Sequence, residues 1–122
     1  MKALIVAAHG TGKREVDRDV EDVVELIRGR GVIPVVEFGF LEAASPTILE
    51  AMRYCIQRGA RQIVVVPYFL SDGVHASIDL GDVLSEAAEV HPEVEIRVGE
   101  NLGRSTMIED VIRERVRAVA FC

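Results

Sequence analysis

The chain has no tryptophan, and its aromatic residues are two Tyr and four Phe, 5% of 122 residues. That is too few for the broad stacking platform that grips unpaired bases. Positive charge is also scarce: 14 Lys and Arg stand against 20 Asp and Glu, a net charge of -6. Duplex nucleic acid, whose affinity rests on phosphate neutralisation, is therefore not an expected partner. An anionic small molecule is not excluded, because it responds to the local field and not to the net charge. The two cysteines, Cys55 and Cys122, form no metal-ligand or redox spacing. Cys55 falls on an expected helix beside Met52 and Ile56 and reads as a buried thiol. No apolar run approaches the ~20 residues that span a bilayer. No basic start followed by a long apolar core marks a secretory leader. The expectation is a cytoplasmic protein with no membrane partner.

What is present suits a single globular domain over residues 1–122. Hydrophobic residues make up 49% and charged residues 28%, the balance of a chain that buries a core without disulfides or metal staples. Lys2 to Ala8 is short, almost continuously apolar and followed closely by glycine, the pattern of a buried strand. Val16, Val20, Val23, Val24 and Ile27 then recur at helical spacing, with Gly29 and Gly31 as the stop. Pro34 to Phe40 is the second strand. Ser45 and Pro46 read as N-cap and first turn of a helix carrying Ile48, Met52, Cys55 and Ile56, with Gly59 closing it.

Arg61 to Pro67 is the third strand, and Tyr68 to Val74 a loop ahead of His75. Leu80, Val83, Leu84, Ala87 and Ala88 mark a third helix ended by His91-Pro92. Glu93 to Gly99, shorter and more polar, reads as an edge strand. Thr106 and Glu109 have capping-box spacing for a last helix, whose inner side would be Ile108, Val111, Ile112, Val116 and Val119.

Strands alternating with helices predict a parallel sheet with right-handed crossovers. The fold class is α/β, a flavodoxin-like three-layer sandwich with a four-stranded parallel sheet of order 2-1-3-4. In that order the first and third strands are neighbours, and the direction of winding reverses between them. Ligands of such sheets bind at that switch point, outside the carboxyl ends of the strands. His9 follows the first strand and His75 the third, and Glu42 follows the second. Two of the three histidines thus border one crevice. Imidazoles there suit a borderline transition metal or a proton transfer near neutral pH. His91, before Pro92 on the opposite rim, reads as a surface residue. Phe69, Leu70, Ser71, Asp72, Gly73 and Val74 offer apolar and polar contacts for a flat ligand.

Two partial motifs fail. Gly10-Thr11-Gly12-Lys13 lacks the earlier glycine of a phosphate-binding loop, which is Ala7, and the hydroxyl residue after the lysine, which is Arg14. The dinucleotide fingerprint begun by Gly10 and Gly12 meets Glu15 where its third glycine belongs. The residues alone therefore lead to metal or proton chemistry at a strand-end crevice.

Several stretches, in order and nearly end to end, resemble the short-form sirohydrochlorin cobaltochelatases, CbiX-type members of the class II tetrapyrrole chelatases. They are His9-Gly10-Thr11, Phe40-Leu41-Glu42 to Ser45-Pro46, Gly59-Ala60 with Ile63 to Pro67, Phe69-Leu70, Gly73-Val74-His75, and His91-Pro92 to Ile96. The resemblance implies a single chelatase half-domain. It implies insertion of a divalent metal, cobalt first and iron or nickel as alternatives, into sirohydrochlorin in anaerobic cobalamin biosynthesis, with no organic cofactor. It assigns His9 and His75 as metal ligands and His9 with Glu42 as the catalytic pair. Thr11, Glu42 and Phe69 through Val74 become substrate contacts. Where that family usually has His-Gly-Ser-Arg, this chain has His9-Gly10-Thr11-Gly12, so the arginine is missing and Lys13 and Arg14 are the nearest cations. Longer members hold two such halves, which implies a homodimer here. The competing expectations are a metal-independent histidine phosphatase, which normally carries arginine where Ala8 stands, and a non-catalytic tetrapyrrole-binding module.

Overall fold

The structure, a computed structural model, describes residues 1–70 and 74–119, and only the backbone of 74–77. Its strands are β1 (Lys2–Ala8), β2 (Val35–Phe40), β3 (Gln62–Pro67) and β4 (Glu95–Val98). Its helices are α1 (Arg14–Arg30), α2 (Ile48–Gln57), α3 (Val74–Val90) and α4 (Met107–Ala118), with a 3-10 turn at Leu102–Arg104. The sheet is fully parallel in the order β2-β1-β3-β4. The expected 2-1-3-4 winding is therefore found, and its switch point lies between β1 and β3.

β1 sits in the middle because it is apolar on both faces. Ala3 through Ala8 are all buried, as a central parallel strand requires. One face carries Ala3, Ile5 and Ala7 into a core with Ile48, Met52, Ile63, Leu80 and Leu84. The other carries Leu4, Val6 and Ala8 against Val20, Val24, Val36 and Phe40. α1 thus covers one face of the sheet, and α2 and α3 cover the other. Each fully buried Ile, Leu or Met contributes roughly 1.5–3 kcal/mol, so the two cores supply most of what holds the layers together.

Three local expectations are corrected. Ser45 and Pro46 do not cap α2; Thr47 does, in a reciprocal capping box with Glu50. Pro46 instead gives its carbonyl to the Phe40 N–H at 2.9 Å. Thr106 and Glu109 form no capping box: Thr106 is already in helical conformation, and the Met107 N–H is met by Ser105 Oγ at 3.1 Å. Glu109 pairs with Arg113, at 2.8 Å. The expected inner side of α4 is not inside. Val111, Ile112, Val116 and Val119 are exposed, and α4 has no buried residue. Among the described residues, no helix is long and apolar enough to cross a membrane.

Candidate functional site

His9 is the first residue beyond β1, where the sheet ends and the chain must turn. The turn is fixed by backbone hydrogen bonds across to the loop after β2. The Leu41 N–H donates to the Ala8 carbonyl at 2.9 Å, and the Glu42 N–H to the His9 carbonyl at 3.0 Å. On the other flank the Tyr68 N–H donates to the Ala7 carbonyl at 2.7 Å. Gly10 makes the crossing possible. Its φ is +90°, and a Cβ there would stand 1.9 Å from the Glu42 carbonyl oxygen. A side chain would push the two loops apart.

This backbone latch brings His9 Nε2 to 2.8 Å from Glu42 Oε1. A neutral imidazole that turns an Nε2–H toward this carboxylate is left with its lone pair on Nδ1. That is the arrangement by which carboxylates orient metal-binding imidazoles. Both side chains are open to solvent, at 48% and 63% exposure. A pair so exposed adds at most about 1 kcal/mol to stability.

The rest of the β1 loop is turned inward on itself. Thr11 N–H and Oγ1 both donate to Asp17 Oδ1 at 2.9 Å, and the Gly12 N–H donates to Asp17 Oδ2 at 3.1 Å. The chain's own carboxylate fills the place that a phosphate takes in a phosphate-binding loop. The incomplete Gly10-Thr11-Gly12-Lys13 motif thus has a structural job. Sequence reasoning missed Asp17; the available signal was an acidic residue in the first turn of a helix that follows a glycine turn. Lys13 is the N-cap residue of α1 and makes no side-chain cap. Arg14 and Arg18 line a hollow of about 260 Å³ with Gly12, Ala43 and Ser45.

His75 was expected in a loop; its backbone lies in the first turn of α3, as does that of Val74. The third helix, marked in the sequence from Leu80 onward, begins at Val74. The positions of the His75 and Val74 side chains, and Ser71, Asp72 and Gly73 altogether, lie outside the described residues. Phe69 is half-buried and Leu70 exposed at the end of β3. Among the described residues, no group of three or more His, Cys, Asp or Glu is gathered to hold a metal. Within them the site is the His9–Glu42 pair. Glu37, given no role by the sequence, is a strand carboxylate bound to Arg28 at 2.9 Å. His91 lies after α3 with Glu93 at 3.9 Å, away from this rim.

A parallel α/β sheet with an imidazole beside a carboxylate at its carboxyl rim defines the class of fold and site. Comparison with known proteins narrows the class. The family model CbiX matches residues 3–119, and the chain belongs to that family. A sirohydrochlorin cobaltochelatase of Methanococcus aeolicus is 34% identical over 96% of this chain and 99% of its own length. The chloroplastic sirohydrochlorin ferrochelatase of Arabidopsis thaliana is 30% identical over 93% of this chain and 51% of its own. The solved structure of SirB from Bacillus subtilis with Fe3+ superposes with a TM-score of 0.90 at 26% identity, covering 99% of this chain and 48% of that one. The chain thus spans about half the length of the longer relatives it matches.

Proposed function

We propose that the chain is a sirohydrochlorin chelatase that inserts a divalent metal, cobalt first, into the macrocycle. The observation that carries the reading is the His9–Glu42 contact of 2.8 Å across the carboxyl ends of β1 and β2, on the rim that borders the switch point, in a chain of the CbiX family. Relatives named for iron and for cobalt both match. The 34% identity to a cobaltochelatase over 96% of this chain supports cobalt. Imidazole ligands discriminate poorly among these ions, so the site chemistry alone does not select one.

Insertion must remove two pyrrole N–H protons as the ring nitrogens take the metal. One imidazole nitrogen cannot hold the metal and accept a proton at the same moment. With Nε2–H held by Glu42, Nδ1 of His9 does both jobs in turn. It would present the ion together with His75 and, once the ion passes to the ring, take one pyrrole proton, the second passing to water at the open rim. Glu42 offsets the charge of the imidazolium that results, which is the usual role of a carboxylate behind a histidine base. Phe69 and Leu70, with Ser71, Asp72, Gly73 and Val74, would receive the macrocycle. Thr11 would contact it only by giving up Asp17.

The active form in this reading is a homodimer. The longer relatives have room for a second such unit in one chain. α4 leaves Met107, Val111, Ile112, Val116 and Val119 exposed, an apolar stripe of the kind that marks an interface. Sedimentation of the purified chain should give twice the monomer mass, and a monomer at working concentration would refute this.

The test of function is an anaerobic absorbance assay with sirohydrochlorin and Co2+, Fe2+ or Ni2+, with and without the protein. Acceleration is expected with all three and greatest with cobalt. No acceleration with any metal would refute the enzyme and leave a binding module.

A further inference from the structure

We propose that a second hollow, on the same rim as His9 but at the ends of β3 and β4, is the subsite for one carboxylate arm of the macrocycle, with Arg104 and Asn101 as its polar contacts. This rests on the chelatase reading above. The hollow opens at the carboxyl ends of β3 and β4 and encloses about 430 Å³. Pro67, Phe69, Leu80 and Leu84 give it apolar walls, and Asn101, Glu100 and Arg104 its polar groups. It is too small for a whole tetrapyrrole and suits one edge of it.

Asn101 is the observation that points to a ligand. It is 6% exposed, and its Oδ1 has no hydrogen-bond partner among the described residues. Leaving such an atom unpaired costs about 1–3 kcal/mol, and native folds rarely leave that uncompensated. Oδ1 itself is closed to solvent, so a ligand in the hollow that Asn101 lines would relieve it by drawing the carboxamide round toward that space. Turning the carboxamide over exchanges donor for acceptor, so Asn101 can meet either a carboxylate oxygen or a carboxylic O–H. Arg104 stands exposed at the mouth and forms no ion pair among the described residues. Its planar fork matches a carboxylate. Apolar walls with one cation at the mouth fit a carboxylate carried on an apolar body better than a free inorganic anion. Glu100, at the same mouth, opposes an anionic ligand and so sets the sign of a second test.

Position and rigidity agree. β1, β3 and β4 are successive neighbours, so the end of β4 lies two strand spacings, about 10 Å, from that of β1. That is comparable with the reach from the centre of a tetrapyrrole to the end of a propionate arm. The hollow is also tied to the segment expected to hold the ring. The Leu102 N–H donates to the Phe69 carbonyl at 2.8 Å. A Cβ on Gly103 would stand 1.7 Å from the Leu70 carbonyl oxygen. Arg104 would thus supply the cation that the β1 loop lacks where Gly12 replaces arginine.

The experiment titrates metal-free sirohydrochlorin into the whole chain and then measures KM and kcat for insertion. Arg104 and Glu100 are exposed, so their variants keep the fold. Arg104→Gln is expected to raise Kd and KM about tenfold, the loss of one charge-assisted contact, with kcat within about twofold. It should also flatten the salt dependence of binding. Glu100→Gln should tighten binding a few-fold. Arg104→Gln at the wild-type Kd, or both variants moving the same way, would overturn the subsite while insertion by the wild type leaves the chelatase reading standing. A wild-type chain that neither binds nor metallates sirohydrochlorin would overturn both.

Discussion

α2 and α4 are both amphipathic, and they end differently. α2 buries Ile48, Ala51, Met52 and Cys55 against the sheet. α4, two residues longer by its bounds, buries none. The difference extends to the surroundings. On the β2 side the loops are closed by backbone bonds from Phe40, Leu41 and Glu42. On the β4 side a four-residue edge strand leads to an unpartnered Asn101 and an apolar stripe open to solvent. α2 is sealed against the sheet, whereas α4 buries none of its own residues. Helical periodicity says that a stripe will be covered, not by what.

The largest expected effect sharpens this contrast. Met52→Ala should cost about 2–5 kcal/mol through the cavity it leaves, read as a large fall in Tm. Val116→Ser should change monomer stability by less than about 0.5 kcal/mol. Equal losses would mean that α4 is as deeply held as α2. Next comes the latch between the loops. Gly10→Ala should cost on the order of 3 kcal/mol from clash and positive φ together. It should also abolish insertion by separating His9 from Glu42. A variant with wild-type Tm would show that the loops are free to part.

A smaller effect is expected at the cap of α2. Thr47→Ala should cost about 1 kcal/mol in chemical denaturation. The Glu50 carboxyl is held below its ordinary range, first by the Thr47 backbone N–H and then by its hydroxyl. A depressed folded-state value stabilises at higher pH and is lost as pH falls through it. Thr47→Ala removes the hydroxyl and keeps the backbone N–H, so it should flatten the acid limb of the stability curve only in part. The smallest effect is a null result on the same helix. Burial, aided by Glu37, pushes the Cys55 thiol up to about 12. In a Cys122→Ser background, Ellman's reagent at pH 8 should find no reactive thiol until the chain is unfolded. Rapid native labelling would show that α2 is not sealed.

Much of this fold is legible in the residues, because β1 and the apolar centre of β3 are continuous buried strands and the helices between them keep their period. β1 was read with its observed bounds, and the winding followed from the alternation. The errors lie where local signals compete. Ser45-Pro46 looked like a helix start, yet Thr47 and Glu50, two residues on, carry the pattern that forms. Thr106 and Glu109 have the same spacing and do not close, since Glu109 pairs with Arg113. His9 and Glu42 were legible as residues of one rim, and their 2.8 Å contact follows from backbone pairing that no motif encodes. Asp17, Asn101 and Arg104 were not legible. Their roles arise from which loops meet, and a single polar residue after an edge strand announces nothing.

The most direct test is metal insertion by His9→Ala, measured beside its Tm. An exposed imidazole contributes little to folding, so Tm should stay within a degree or two of the wild type (~0.5 kcal/mol). Cobalt insertion should fall to the uncatalysed rate. Near-normal turnover by a folded His9→Ala chain would contradict the central role given to that ring.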